Sequence, residues 1–236
     1  MSTRLPPVAF LQALRVLLAT PRLAPPAGDS GRMGEDAAHG LRIIGVGDSI
    51  IAGTGVQLLQ DSLTATYARL LHARTRRPVA WRTHGRNGAT SASVLQELVP
   101  SAPAGDLYLV SVGVNDVTRR VRPGTFGSNL AAIHDQLRDS APASAFVFAG
   151  VPPLERFPAL PAPLNTLLGA QARDLQQAAA TALAGRPRTY CYFFPTTMPP
   201  GDFARDGFHP AESAVLAWAG ELLALTAQDE VASCSR

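Results

Sequence analysis

Short apolar runs recur along this chain, and between them lie longer stretches in which apolar positions return every three or four residues. The first pattern suits buried strands and predicts them at 41–46, 78–83, 106–112, 144–150 and 189–194. The second predicts helices at 61–74, 90–98, 123–139 and 164–184, with 210–226 closing the fold. Within 61–74, Asp61 and Ser62 offer an N-cap, and Leu63, Tyr67, Leu70 and Leu71 fall on one face. Pro210 suits the first turn of the last helix. Strand and helix in alternation imply a parallel sheet covered on both faces, an α/β fold. In such sheets ligands bind beyond the carboxyl ends of the strands.

This pattern covers 41–228. Ahead of it, 1–40 reads differently: 8–19 is apolar but interrupted by Gln12 and Arg15, and 21–40 is a Pro- and Gly-rich linker. The apolar stretch is too short to span a bilayer by itself. Three readings stay open for it: a helix docked on the domain or on a membrane surface through 8–20, a secretory leader, or a disordered arm. Accordingly, a cytoplasmic or membrane-associated protein is expected, with a periplasmic or secreted one as the other placement. Residues 229–236 read as a tail.

At 236 residues the chain suits one well-buried domain rather than two. It contains no lysine, so every cationic side chain is arginine, and the formal charge is only +3. The arginines are scattered, not striped along one helix with aromatics, which argues against a nucleic-acid partner. Absence of lysine removes Schiff-base chemistry and the phosphate-binding P-loop. Cys191 falls in the last strand as a free thiol and Cys234 in the tail, with no zinc-type spacing. No metal or cofactor is expected.

Four segments fall at the chemically useful edge of the sheet: Gly47-Asp48-Ser49, Gly85-Arg86-Asn87-Gly88-Ala89-Thr90, Gly113-Val114-Asn115-Asp116, and Asp206-Gly207-Phe208-His209-Pro210. A second Gly-Asp-Ser, at Gly28-Asp29-Ser30, has neither a strand before it nor an apolar run after it, and reads as linker. A serine hydroxyl needs a base to become a nucleophile. His209 is the natural base, with Asp206 close enough in sequence to hold its tautomer; Asp202 is a more remote rival. The tetrahedral intermediate needs donors for its oxyanion, and the Asn115 side-chain amide, the Gly88 N–H and the Ser49 N–H are candidates. Asp48 and Asp116 read as loop braces. Ser49 as a helix cap, and Gly88 and Asn115 as turn residues, are the bland alternatives.

These blocks, GDS, the Gly of NGAT, GVND and DGFHP, resemble the SGNH hydrolase family, also called GDSL lipases and esterases. The resemblance runs from about Leu41 to Leu225. It departs after Ser49, where the family's leucine is Ile50 here. It implies a three-layer αβα, flavodoxin-like fold with a five-stranded parallel sheet. It further implies metal-free hydrolysis of esters or thioesters, with Ser49, Asp206 and His209 as triad and Ser49, Gly88 and Asn115 as oxyanion hole.

The Pro-rich loop 151–161 leaves the same edge, and Pro152 and Phe157 within it, with Ile50, Val117 and Phe208, are candidate walls for a short to medium acyl group. A small-molecule ester is therefore the expected partner. Two other functions share the pattern: a saccharide O-acyltransferase, and a non-catalytic flavodoxin-like binding protein. Against the latter, the dinucleotide fingerprint fails at Ile50. No Gly-x-Ser-x-Gly elbow is present, which disfavours the unrelated α/β-hydrolase fold.

Overall fold

A computed structural model of the chain describes residues 6–35, 40–194 and 202–233. Its helices and strands are α1 (Pro7–Ala19), β1 (Ser30–Met33), β2 (Leu41–Gly47), α2 (Leu63–Thr75), β3 (Val79–Gly85), α3 (Ser91–Ser93), β4 (Leu107–Ser111), α4 (Val114–Thr118), α5 (Pro123–Ser140), β5 (Ala145–Phe148), α6 (Leu164–Leu183), β6 (Thr189–Cys191) and α7 (Glu212–Ser233). The strands form one sheet in the order β1-β3-β2-β4-β5-β6. Strands β2 to β6 run parallel, as expected from the alternating pattern.

The sheet has six strands and is mixed, not five-stranded and parallel. Ser30–Met33, inside the stretch expected to be linker, pairs antiparallel with β3 along the sheet edge. The Asp29 carbonyl accepts the backbone N–H of Thr83 at 2.7 Å, so the Gly28-Asp29-Ser30 segment leads into this strand. A four-residue edge strand with a half-exposed pattern carries no periodic signal, and only its partner reveals it.

Side chains alternate across the sheet and feed two cores. Ile44, Val46, Tyr108, Val110, Phe146 and Phe148 point into the layer closed by α5 and α6, with α1 and α3 at its margin. Ile43, Leu107, Leu109 and Val147 point into the layer closed by α2 and α7, where Leu63, Tyr67, Val215, Trp218 and Leu222 are buried. These three layers are the expected αβα arrangement. Ser62 caps α2 by accepting the Ala65 N–H at 3.5 Å. Pro210 falls just before α7 instead of inside its first turn, because it is held in a bridge to Phe203.

Register decides what the fold presents. Gly47 pairs with Gly85 on one side and with Ser111 on the other, so β2, β3 and β4 end level with one another. The segments that follow them open onto the same edge.

Candidate active site

Ser49 sits one turn beyond β2, in a loop fastened at several points. Asp48 N–H donates to the Ser111 carbonyl at 3.0 Å, and the Asp48 carboxylate accepts the Ile50 N–H at 3.1 Å and the Ser111 hydroxyl at 3.5 Å. Ala52 N–H returns to the Asp48 carbonyl at 3.1 Å and Thr54 N–H to the Ser49 carbonyl at 2.9 Å. The turn is tied to β4 and its side chain projects from the end of the sheet.

His209 arrives from the other end of the chain. Its Nε2 lies 3.0 Å from the Ser49 Oγ, across 160 residues, and its Nδ1 lies 2.5 Å from the Asp206 Oδ2. The other Asp206 oxygen accepts the Phe208 and His209 N–H groups, each at 3.0 Å, so one carboxylate shapes the loop and holds the ring. Burial alone pushes the Asp206 carboxyl up, but the His209 ring and these N–H donors together outweigh it and hold it below its ordinary value. Asp206, not Asp202, reaches the imidazole; Asp202 spends its carbonyl on the Ala211 N–H. Gly55 makes room for this approach, since a Cβ there would stand 2.7 Å from the His209 Cβ and 2.8 Å from the Pro210 carbonyl.

The oxyanion candidates converge on the same edge. Asn115, on α4, donates one amide hydrogen to the Ala89 carbonyl at 3.0 Å, leaving the second for a ligand. Gly88 adopts φ +78°, a left-handed conformation that glycine takes without strain. Among the described residues neither the Ser49 nor the Gly88 N–H donates to a backbone carbonyl. Asp116 joins the two loops: it accepts the Ser91 N–H at 2.9 Å and the Ser91 hydroxyl at 2.6 Å, while Asn129 donates to that hydroxyl at 3.0 Å. Burial pushes both Asp48 and Asp116 up, Asp48 to about 7.

The expected acyl walls divide. Ile50, Pro152 and Phe208 are half-exposed. Val117 and Phe157 are buried and so back the site instead of lining it: Val117 is enclosed beneath α4, and the Phe157 ring packs edge-on against Phe203 and Phe208. The Pro-rich loop is fixed to the histidine loop by the Ala159 N–H, which donates to the Gly207 carbonyl at 3.4 Å.

Several contributors escaped sequence reasoning. Thr54 donates to the Asn87 side chain at 2.7 Å, and Asn87 donates onward to the Leu23 carbonyl at 3.3 Å. The Arg119 guanidinium reaches the Gly88 carbonyl at 3.4 Å. Only Asn87, beside Gly88 in the second block, carried a sequence signal. Cys191 is a half-buried free thiol on β6, pushed up to about 11 by burial, and takes no part in this arrangement; Cys234 lies outside the described residues. Among the described residues no group of His, Cys, Asp and Glu is placed to hold a metal ion.

The fold recurs in solved structures of low sequence identity. A lipase from a goat rumen metagenome superposes with a TM-score of 0.60 at 16% identity, covering 78% of this chain and 97% of its own. Phospholipase A1 from Streptomyces albidoflavus gives 0.56 at 15% identity, covering 78% and 98%. The family 3 carbohydrate esterase of Clostridium thermocellum gives 0.59 at 16% identity, covering 83% and 99%. No curated protein sequence matches the chain. A model of the GDSL-like lipase/acylhydrolase family matches residues 46–214, a span that holds all four sequence blocks and every residue of the hydrogen-bonded relay. The chain therefore belongs to the GDSL-like lipase/acylhydrolase family and is an ester-hydrolysing enzyme.

Proposed function

We propose that this enzyme is a serine esterase working through an acyl-enzyme, with Ser49 as nucleophile, His209 as general base and acid, and Asp206 as the carboxylate that orients the imidazole. The observation that carries the reading is the continuous relay from Ser49 Oγ to His209 Nε2 at 3.0 Å and from His209 Nδ1 to Asp206 at 2.5 Å. With its proton on Nδ1 donated to Asp206, the neutral ring offers the Nε2 lone pair to the serine hydroxyl. Oγ attacks the ester carbonyl carbon as its proton passes to Nε2. The tetrahedral oxyanion is received by the Asn115 amide and the Gly88 and Ser49 N–H groups. On collapse, the C–O bond to the alcohol (or C–S bond to the thiol) breaks, and the leaving group takes the proton from His209. Water then attacks the acyl-Ser49 ester with His209 again as base, releasing the carboxylic acid and restoring the hydroxyl.

The acyl group is short to medium. Half-exposed Ile50 and Phe208 supply apolar surface beside the relay, and the loop bearing Pro152 and Phe157 is pinned to the histidine loop. A p-nitrophenyl ester series from acetate upward tests both parts. Turnover is expected with short and medium chains and lost in Ser49→Ala, whose circular dichroism should match the parent. Unchanged turnover in Ser49→Ala would refute the nucleophile, and a rate that climbs steadily to the longest chains would refute the acyl preference.

A further inference from the structure

Helix α1 is turned the unexpected way. Ala9, Gln12, Ala13 and Val16, spaced i, i+3, i+4 and i+7, form the side that meets the domain. Ala9 is fully buried, and Gln12 fastens the helix by donating to the Ala162 carbonyl at 2.7 Å and accepting the Leu164 N–H at 3.2 Å, at the start of α6. The bulky apolar side chains point outward. Val8, Phe10, Leu11, Leu14, Leu17 and Leu18 are 45% to 78% exposed, and no other described element approaches that density of exposed large hydrophobics. A contiguous apolar face of this kind marks a docking surface.

Charge identifies what it docks on. The sequence holds no Asp or Glu before Asp29, whereas Arg4, Arg15 and Arg22 fall in the same stretch. Arg15 flanks the apolar face and Arg22 follows the helix. An apolar helix face bordered by arginines and free of acids complements an anionic lipid surface. Two copies packed face to face would instead bring the same arginines together with no acid from this arm to meet them. At 13 residues the helix is too short to cross a bilayer and fits one lying along its surface.

The arm also leads to the site. After α1 the Leu23 carbonyl accepts from Asn87, the neighbour of Gly88, and Pro26 packs against Gly53, four residues after Ser49. We propose that α1 docks this enzyme on anionic membranes and holds the Ser49 edge at the lipid surface. This rests on the esterase reading for the chemistry but not for the docking.

Full-length protein carrying Ser49→Ala, so that lipid is not consumed, would be sedimented with vesicles of phosphatidylcholine alone and of phosphatidylcholine mixed with phosphatidylglycerol. Binding is expected to the mixed vesicles and to be much weaker without the anionic lipid. Adding Leu14→Gln, Leu17→Gln and Leu18→Gln should weaken it by roughly a hundredfold or more. Adding Arg15→Gln and Arg22→Gln instead should cost roughly fivefold for each arginine on the anionic vesicles alone. With Ser49 intact, both sets should turn over p-nitrophenyl butyrate like the parent. Absence of vesicle binding, or binding indifferent to either set, would overturn the docking, as would light scattering that shows the leucine set converting a dimer to a monomer without any lipid effect. Vesicle binding by a protein that hydrolyses no ester would overturn the esterase reading and leave the docking face standing.

Discussion

Replacing Asp48 by asparagine isolates a stress built into the nucleophile loop. The Asp48 carboxyl is 1% exposed directly beneath Ser49. Burial is the main force pushing it up to about 7, aided by the negative charge of Asp116 and opposed by the Ile50 N–H and the Ser111 hydroxyl. In the unfolded chain the same group titrates near its ordinary 3.8. Between those two values the folded state retains a proton that the unfolded state has released, so stability falls as pH rises through this window and levels off above about 7. A displacement of about three units at about 1.4 kcal/mol each sets an upper bound on the order of 4 kcal/mol. Asparagine keeps the acceptor for the Ile50 N–H and the shape of the side chain, and never ionises. Urea unfolding of parent and Asp48→Asn at about pH 5 and about pH 8.5 gives the comparison. Histidines such as His134, whose buried ring is pulled below its ordinary value, contribute with the opposite sign but equally in both proteins, and cancel in the difference. About two pH units of that window lie above pH 5, so the parent should lose on the order of 2–3 kcal/mol more than the variant between the two conditions. Equal losses would show that Asp48 is ionised in the fold at little cost, and would refute the reasoning.

Asn115→Ala removes one oxyanion donor and should lower kcat by about 10²–10³-fold with little change in KM, measured on p-nitrophenyl butyrate. Asp206→Asn keeps the loop shape but frees the imidazole tautomer, so kcat should fall by about 10⁴-fold. Gly55→Ala places a methyl against the His209 Cβ in a left-handed backbone conformation, φ +107°. It should both lower Tm and reduce kcat, and an unaffected kcat would show that the histidine loop relaxes freely.

The five parallel strands were legible because they fall at short, mostly apolar runs between helices of clear period, most plainly at Leu107–Ser111, where every residue is buried. Strand β1 was not, since Ser30–Met33 has no apolar alternation and owes its conformation to hydrogen bonds with β3. Helix α4 was hidden for a related reason. Val114–Thr118 is short enough to read as a turn, and its place is fixed by Asp116 gripping Ser91 twenty-five residues away. The serine, histidine and aspartate could be singled out because their residue types are few and their chemistry demanding. Val117 and Phe157 could not be told from pocket walls, because an apolar side chain reads alike whether it lines a cleft or backs it. Sequence periodicity also says that α1 has an apolar face, but not that alanines and a glutamine would take the inward side.

The central claim is that Ser49 is the activated nucleophile. Its most direct test is to label the intact protein with a fluorophosphonate probe and map the modified peptide by mass spectrometry. A single phosphonylated residue at Ser49, formed quickly in the parent and at least about 10²-fold more slowly in His209→Ala, is the expected result. Labelling at another serine, or labelling of Ser49 that proceeds undiminished without His209, would contradict it.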